Sequence, residues 1–258
     1  MNEPLSVLAA DAAGCTRCRL AQGRTQVVFG VGNPDADLLF IGEAPGFHED
    51  KQGEPFVGAA GQLLTTMLTE IVGLRREDVY ICNVLKCRPP GNRDPQDDEV
   101  EACTPWLIEQ VSLIQPRVIG TLGNFATKFV LNTHQGITRM RGAVYPWHGR
   151  TVIPTFHPAA ILRGGGEGSR QFADFRDDFG LIRDTLASPP AAPRRPEPAM
   201  PPGPKPAAES PTEPARPQRL PDPVEERGLP AEATPIAVTV PLSPPQDDPV
   251  PEGQLELF

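Results

Sequence analysis

The sequence predicts an α/β fold: a three-layer α/β/α arrangement around a mostly parallel central sheet of about four strands, followed by a disordered, proline-rich tail. Three observations carry that expectation. Short apolar runs alternate with longer segments of helical period. The run Leu38-Leu39-Phe40-Ile41 is apolar throughout, as a strand covered on both faces must be. Proline is ordinary up to Leu186 and dense from there to the end, so the compact part stops near residue 187.

Strands are expected near 38–41, 79–85, 117–121 and 151–156, and helices near 60–72, 96–114, 123–131 and 169–186. Leu107, Ile108, Val111 and Ile114 give the second helix its three-four spacing. Parallel crossovers of this kind are right-handed. The stretch that organises the rest is Asp37 to Gly61. Its strand stops at Gly42, and Glu43-Ala44-Pro45-Gly46 follows as a turn. A carboxylate at the C-terminal end of a buried strand stands where open α/β sheets place their ligand chemistry. Gly30-Val31-Gly32 and Gly58-Ala59-Ala60-Gly61 lack the full phosphate-loop fingerprint, which argues against a dinucleotide site.

The formal charge of −9 offers nucleic acid no global attraction, so any such interface must be a local basic patch. Its candidates are Lys86, Arg88 and Arg93, then Arg139, Arg141 and Arg150, and finally Arg163. The N-terminus has no basic leader and no run reaches membrane-spanning length, which points to a cytoplasmic protein with no membrane partner. In that reducing setting five cysteines suit metal ligation better than disulfides. Cys15 and Cys18 form a C-x-x-C pair, while Cys87 and Cys103 flank a Pro/Gly loop and the start of a helix. Four thiolates suit zinc or an iron–sulfur cluster, and spacing leaves both open. Cys82, inside a strand pattern, reads as core.

Asn83 falls near the C-terminal edge of the sheet, beside the Glu43 turn, where an amide can both donate to and accept from one edge of a base. Asn92 lies in a Pro/Gly loop and is the weaker candidate. His157 stands at a strand end and is followed by the apolar pair Ile161-Leu162 and then Arg163, a combination suited to entering a duplex.

Taken together, Gly42-Glu43-Ala44-Pro45-Gly46, Pro55-Phe56-Val57-Gly58, the segment from Asn83 to Arg93 and the segment from His157 to Arg163 resemble the family 4 uracil-DNA glycosylases. The resemblance covers roughly 10–187. It implies that Cys15, Cys18, Cys87 and Cys103 hold a 4Fe–4S cluster, which decides iron–sulfur over zinc by analogy alone. It implies base flipping, because the glycosidic bond is inaccessible inside a duplex. Phe56 would stack on the extruded uracil, Asn83 would read its O4 and N3–H, and Gly42 and Ala44 would line the base. His157 would donate to O2 of the leaving base, Glu43 would orient or deprotonate water, and Asn92 would help place it. Ile161, Leu162 and Arg163 would fill the gap in the duplex, with Lys86 and Arg88 on phosphates. The expected product is an abasic site, the first step of base excision repair, made by a monomer acting on single- or double-stranded uracil-containing DNA. A non-catalytic uracil-DNA or clamp adaptor is the alternative. Two departures stand out. Phe47-His48 follow Gly46 where many relatives carry acidic or small residues, near the expected site of thymine exclusion. No histidine falls between Asn83 and Cys103, unlike a related family that stays bonded to its product, so turnover is expected.

The organisation expected is a glycosylase domain over 1–187, a disordered linker over 188–253 and a terminal peptide over 254–258. That peptide, with Gln254, Leu255, Leu257 and Phe258, resembles the short motif by which bacterial repair proteins dock on the sliding clamp. An extended peptide with apolar anchors fills a preformed groove, and the linker gives it reach.

Overall fold

The computed structural model describes residues 3–188. The linker and the clamp-like peptide, Gln254, Leu255, Leu257 and Phe258 included, lie outside the described residues. Six strands form one sheet: β1 (Val31–Gly32), β2 (Leu38–Gly42), β3 (Tyr80–Asn83), β4 (Val118–Leu122), β5 (Tyr145–Trp147) and β6 (Arg150–Thr155). Their spatial order is β1-β3-β2-β4-β6-β5. The four strands expected from the sequence are the parallel centre, β3-β2-β4-β6. The expectation of a mostly parallel, four-stranded sheet needs correcting at the edges. There β1 and β5 add antiparallel pairs, so the sheet is mixed. Both edge strands are two or three residues long and contain Gly or Pro, so they carry no period to read.

The helices are α1 (Glu3–Ala13), α2 (Phe47–Gln52), α3 (Ala59–Met67), α4 (Asp97–Ile114), α5 (Asn124–Leu131), α6 (Ile137–Met140), α7 (Pro158–Arg163) and α8 (Arg170–Ala187). The helix expected over 60–72 is α3 closed by a π turn at Leu68–Val72. Side chains on a strand alternate between faces, and β2 divides accordingly. Leu39 and Ile41 join one core with residues of α1, α4 and α5, whereas Leu38 and Phe40 join another with α3, α7 and α8. Helices therefore cover both faces of the sheet. α4 starts with a reciprocal cap between Gln96 and Glu99 and carries Asp97, Asp98 and Glu99 in its first turn, where acidic groups favour the helix dipole. Among the described residues no helix is long and apolar enough to cross a membrane.

Candidate active site and cysteine cavity

β2, β3 and β6 run parallel, so Gly42, Asn83 and the segment just past Thr155 reach the same edge of the sheet. Two bonds beyond the strands hold that edge together. Val84 N–H donates to Gly42 O at 2.9 Å, and Leu85 N–H donates to Glu43 O at 3.0 Å. Glu43 is half-buried, and burial first, then the nearby Asp94 carboxylate, pushes its carboxyl above the usual range.

Asn83 is 2% exposed, and its Oδ1 has no hydrogen-bond partner among the described residues. A buried acceptor left unpaired costs about 1–3 kcal/mol, so it belongs where a ligand supplies the donor. The amide and the Phe56 ring close over Gly42. A methyl group there would lie 2.3 Å from Asn83 Oδ1 and 2.7 Å from Phe56 Cζ. Phe56 has a left-handed backbone (φ 54°), unusual for a bulky residue and typical of strain kept at ligand sites. Gly61 permits that bend, since a side chain there would run into the Phe56 carbonyl at 1.7 Å. Glu49 of α2 secures the same loop, its Oε1 accepting from Val57 N–H at 3.2 Å.

His157 lies beside Phe56, their rings 5.6 Å apart and inclined at 30°. Burial, then Arg163, push its imidazole down to about 4, so it is neutral at physiological pH. Its Nδ1 accepts from Ala159 N–H at 3.1 Å at the start of α7. A neutral imidazole with an accepting Nδ1 carries its proton on Nε2, which leaves Nε2–H as the donor.

Other expected site residues fall elsewhere. Asn92 is exposed and left-handed (φ 55°), and its Oδ1 accepts from Arg88 Nε at 2.7 Å. From the same loop it is Asp94 that is felt at Glu43. Lys86 is 1% exposed, and its Nζ donates to Asn83 O at 2.7 Å, so the expectation of a phosphate contact is corrected: it braces Asn83 from within. Ile161 is fully buried in the core beneath the sheet, so only Leu162 and Arg163 of the expected wedge reach the surface. Arg93 and Arg141, two further basic candidates, pair with the buried carboxylates of Glu99 and Asp178. Glu49 and Asp94 were missed by sequence reasoning, because a carboxylate in a short polar segment, whether the short helix α2 or the loop before α4, gives no signal of its own.

On the opposite core, Cys15, Cys18, Cys87 and Cys103 line one cavity together with Arg24, Lys86 and Trp106. Arg24 Nη1 donates to Cys15 O at 2.7 Å and approaches Cys87 Sγ at 3.5 Å, while Lys86 N–H donates to Cys103 Sγ at 3.2 Å. Among the described residues no three His, Cys, Asp or Glu side chains draw close enough for a single metal ion. Four thiols around one cavity, with the Arg24 guanidinium at the Cys87 sulfur and a main-chain N–H at the Cys103 sulfur, are a donor set compatible with a thiolate-bound group. Cys82 is fully buried and lies in the core, as expected.

Residues 29–180 match the profile of the Uracil DNA glycosylase superfamily. The chain is 44% identical over 195 residues to the type-4 uracil-DNA glycosylase of Sulfurisphaera tokodaii, covering 72% of this chain and 87% of that relative. It is 51% identical over 168 residues to the type-4 uracil-DNA glycosylase of Archaeoglobus fulgidus, covering 62% and 84%. It is 49% identical over 164 residues to the enzyme of the same name from Thermotoga maritima, covering 63% and 85%. With the site at the edge of β2, β3 and β6 falling inside the matched region, the chain belongs to the uracil-DNA glycosylase superfamily.

Proposed function

We propose that this protein is a monofunctional uracil-DNA glycosylase, which flips uracil out of DNA and hydrolyses its N-glycosidic bond to leave an abasic site for base excision repair. The observation that carries the reading is the unpaired, buried Oδ1 of Asn83 beside the Phe56 ring and a neutral His157. Uracil offers N3–H to that acceptor and O4 to the amide N–H, a pattern cytosine reverses. A site built to pair its substrate's polar edge rejects analogues that leave its own groups unpaired. Phe56 stacks on the extruded base.

As the glycosidic bond breaks, charge builds on the leaving base, and the Nε2–H of His157 donates to its O2. A donor aimed at developing charge in a dry site contributes about 2.7–4 kcal/mol. Glu43 orients the attacking water, accepts its proton and faces the cationic sugar. Gly42 and Ala44 give the base a backbone wall without side-chain bulk. Leu162 and Arg163 enter the space the base vacates, and Arg88 and Arg139 meet phosphates. Asn92 acts through Arg88, its hydrogen-bond partner, more directly than on water.

Cys15, Cys18, Cys87 and Cys103 would hold the 4Fe–4S cluster, and the donor set described above supports that assignment. When bound, the cluster supplies a covalent staple between the N-terminal segment and α4; hydrolysis of the glycosidic bond transfers no net electrons. Docking of Gln254, Leu255, Leu257 and Phe258 on a sliding clamp rests on the sequence resemblance alone.

The test is an end-labelled oligonucleotide with one uracil, treated with the protein or with Glu43→Ala, Asn83→Ala or His157→Ala, then with alkali. Strand breaks made by the wild type and lost in the variants support the assignment. Intact DNA under conditions where the protein binds it would leave a uracil-DNA adaptor instead.

A further inference from the structure

Phe47, the first residue of α2, follows the Glu43–Gly46 turn directly and is 44% exposed, one of the few large apolar side chains at the described surface. The ring is not bare. Lys51 Nζ lies 4.4 Å from its centroid, Arg88 Cζ lies 5.1 Å away, and the exposed His48 ring meets it edge-on at 5.4 Å. Asn92 Oδ1 holds the Arg88 guanidinium in that position. An exposed aromatic ring with two cations beside it, directly after the Glu43–Gly46 turn, has the make-up of a stacking platform for unpaired nucleic acid: a π-face for a base, and charges for the neighbouring phosphates.

We infer that Phe47, Lys51 and Arg88 form a second nucleobase subsite that stacks an unpaired base neighbouring the flipped uracil, and that the protein thereby favours single-stranded or locally opened DNA. The inference rests on the glycosylase reading for its register, but not for its chemistry. Cation–π contacts at an exposed site are weaker than base–aromatic stacking, so an incoming base displaces Lys51 from the ring face and frees its ammonium for a phosphate. A paired base presents no free face, which is why the platform discriminates against intact duplex. Phe47 is exposed at 44% and is not one of the buried core residues, so its replacement leaves the fold standing.

The experiment compares two labelled ligands by fluorescence anisotropy with the full-length chain: a thymidine oligonucleotide, and a backbone of equal length carrying only abasic tetrahydrofuran residues. Phe47→Ala should weaken binding to the thymidine oligonucleotide on the order of tenfold and leave the abasic backbone unaffected, while Phe47→Trp binds both like the wild type. Lys51→Ala should weaken both ligands and lower the salt dependence. Equal binding by Phe47→Ala and wild type, or an equal loss on both ligands, would overturn the subsite. Uracil release by the wild type is scored separately. Its absence alongside base-selective binding would remove the glycosylase reading and keep the platform; normal release with no Phe47 effect would do the reverse.

Discussion

Gly42→Ala tests the site at its tightest point. The added methyl would stand 2.3 Å from Asn83 Oδ1, 2.7 Å from Phe56 Cζ and 2.9 Å from Phe56 Cε2. Carbon and oxygen need more than 3 Å, so the amide must retreat by about 1 Å and the ring by somewhat less, in a core that resists both. The backbone at Gly42 is not left-handed, so the penalty is steric alone. Overpacking of this kind costs about 1–3 kcal/mol of stability. A 1 Å misplacement of a group that positions substrate costs roughly a hundredfold in rate. Single-turnover release of uracil should therefore fall about a hundredfold, while the melting temperature drops by only a few degrees. Gly58→Ala is the control, because a methyl there meets nothing within 4 Å and the backbone is extended. Wild-type turnover in Gly42→Ala would show that the Asn83 amide and Phe56 ring do not define the base slot.

Three further outcomes are expected. The acid limb of the kcat/KM profile should belong to Glu43, displaced upward from the ordinary carboxylate range, and no second limb should appear near 6.5, because His157 titrates at about 4; a limb near 6.5 that vanishes in His157→Gln would contradict this. Arg141→Met leaves the fully buried Asp178 with only the Thr155 hydroxyl, whose Oγ1 donates at 2.7 Å, so the fold should lose about 3 kcal/mol, read as a melting point lower by roughly 6–12 °C. Stripping iron with an oxidant and chelator should bleach the protein and open Arg17, Arg19 and Arg24 to trypsin ahead of the rest of the chain; a digestion pattern unchanged by bleaching would show that the cysteines do not hold that segment.

The parallel centre of the sheet was legible because each strand is a continuous apolar run bounded by polar turns, and α3, α4, α5 and α8 because their apolar residues keep helical spacing. α1 and α2 were not: the first has a weak apolar stripe, and the second is a six-residue turn of mostly polar residues. At the site, the types and order of Glu43, Phe56, Asn83 and His157 could be read from the motifs. Their states could not. A sequence does not say that a histidine's Nδ1 is taken by Ala159 N–H, nor that Asn83 Oδ1 goes unpaired, because both follow from where strands and turns end. Lys86 misled for a related reason. Lysine is a surface residue in nearly every setting, and only the carbonyl of Asn83 and the closed space beneath it explain a buried one.

That lysine ties together two parts of the molecule that chemistry keeps apart. Its main-chain N–H ends on Cys103 Sγ and its side chain on the carbonyl of Asn83, so five consecutive residues, 83–87, include the proposed base reader, its brace and a cysteine of the cavity. Loss of the Cys103 thiol would take the acceptor from Lys86 N–H, on the residue whose side chain braces Asn83. The cysteine cavity and the edge of the sheet that carries Asn83 thus share one short stretch of chain, and a change in either is felt through the same lysine.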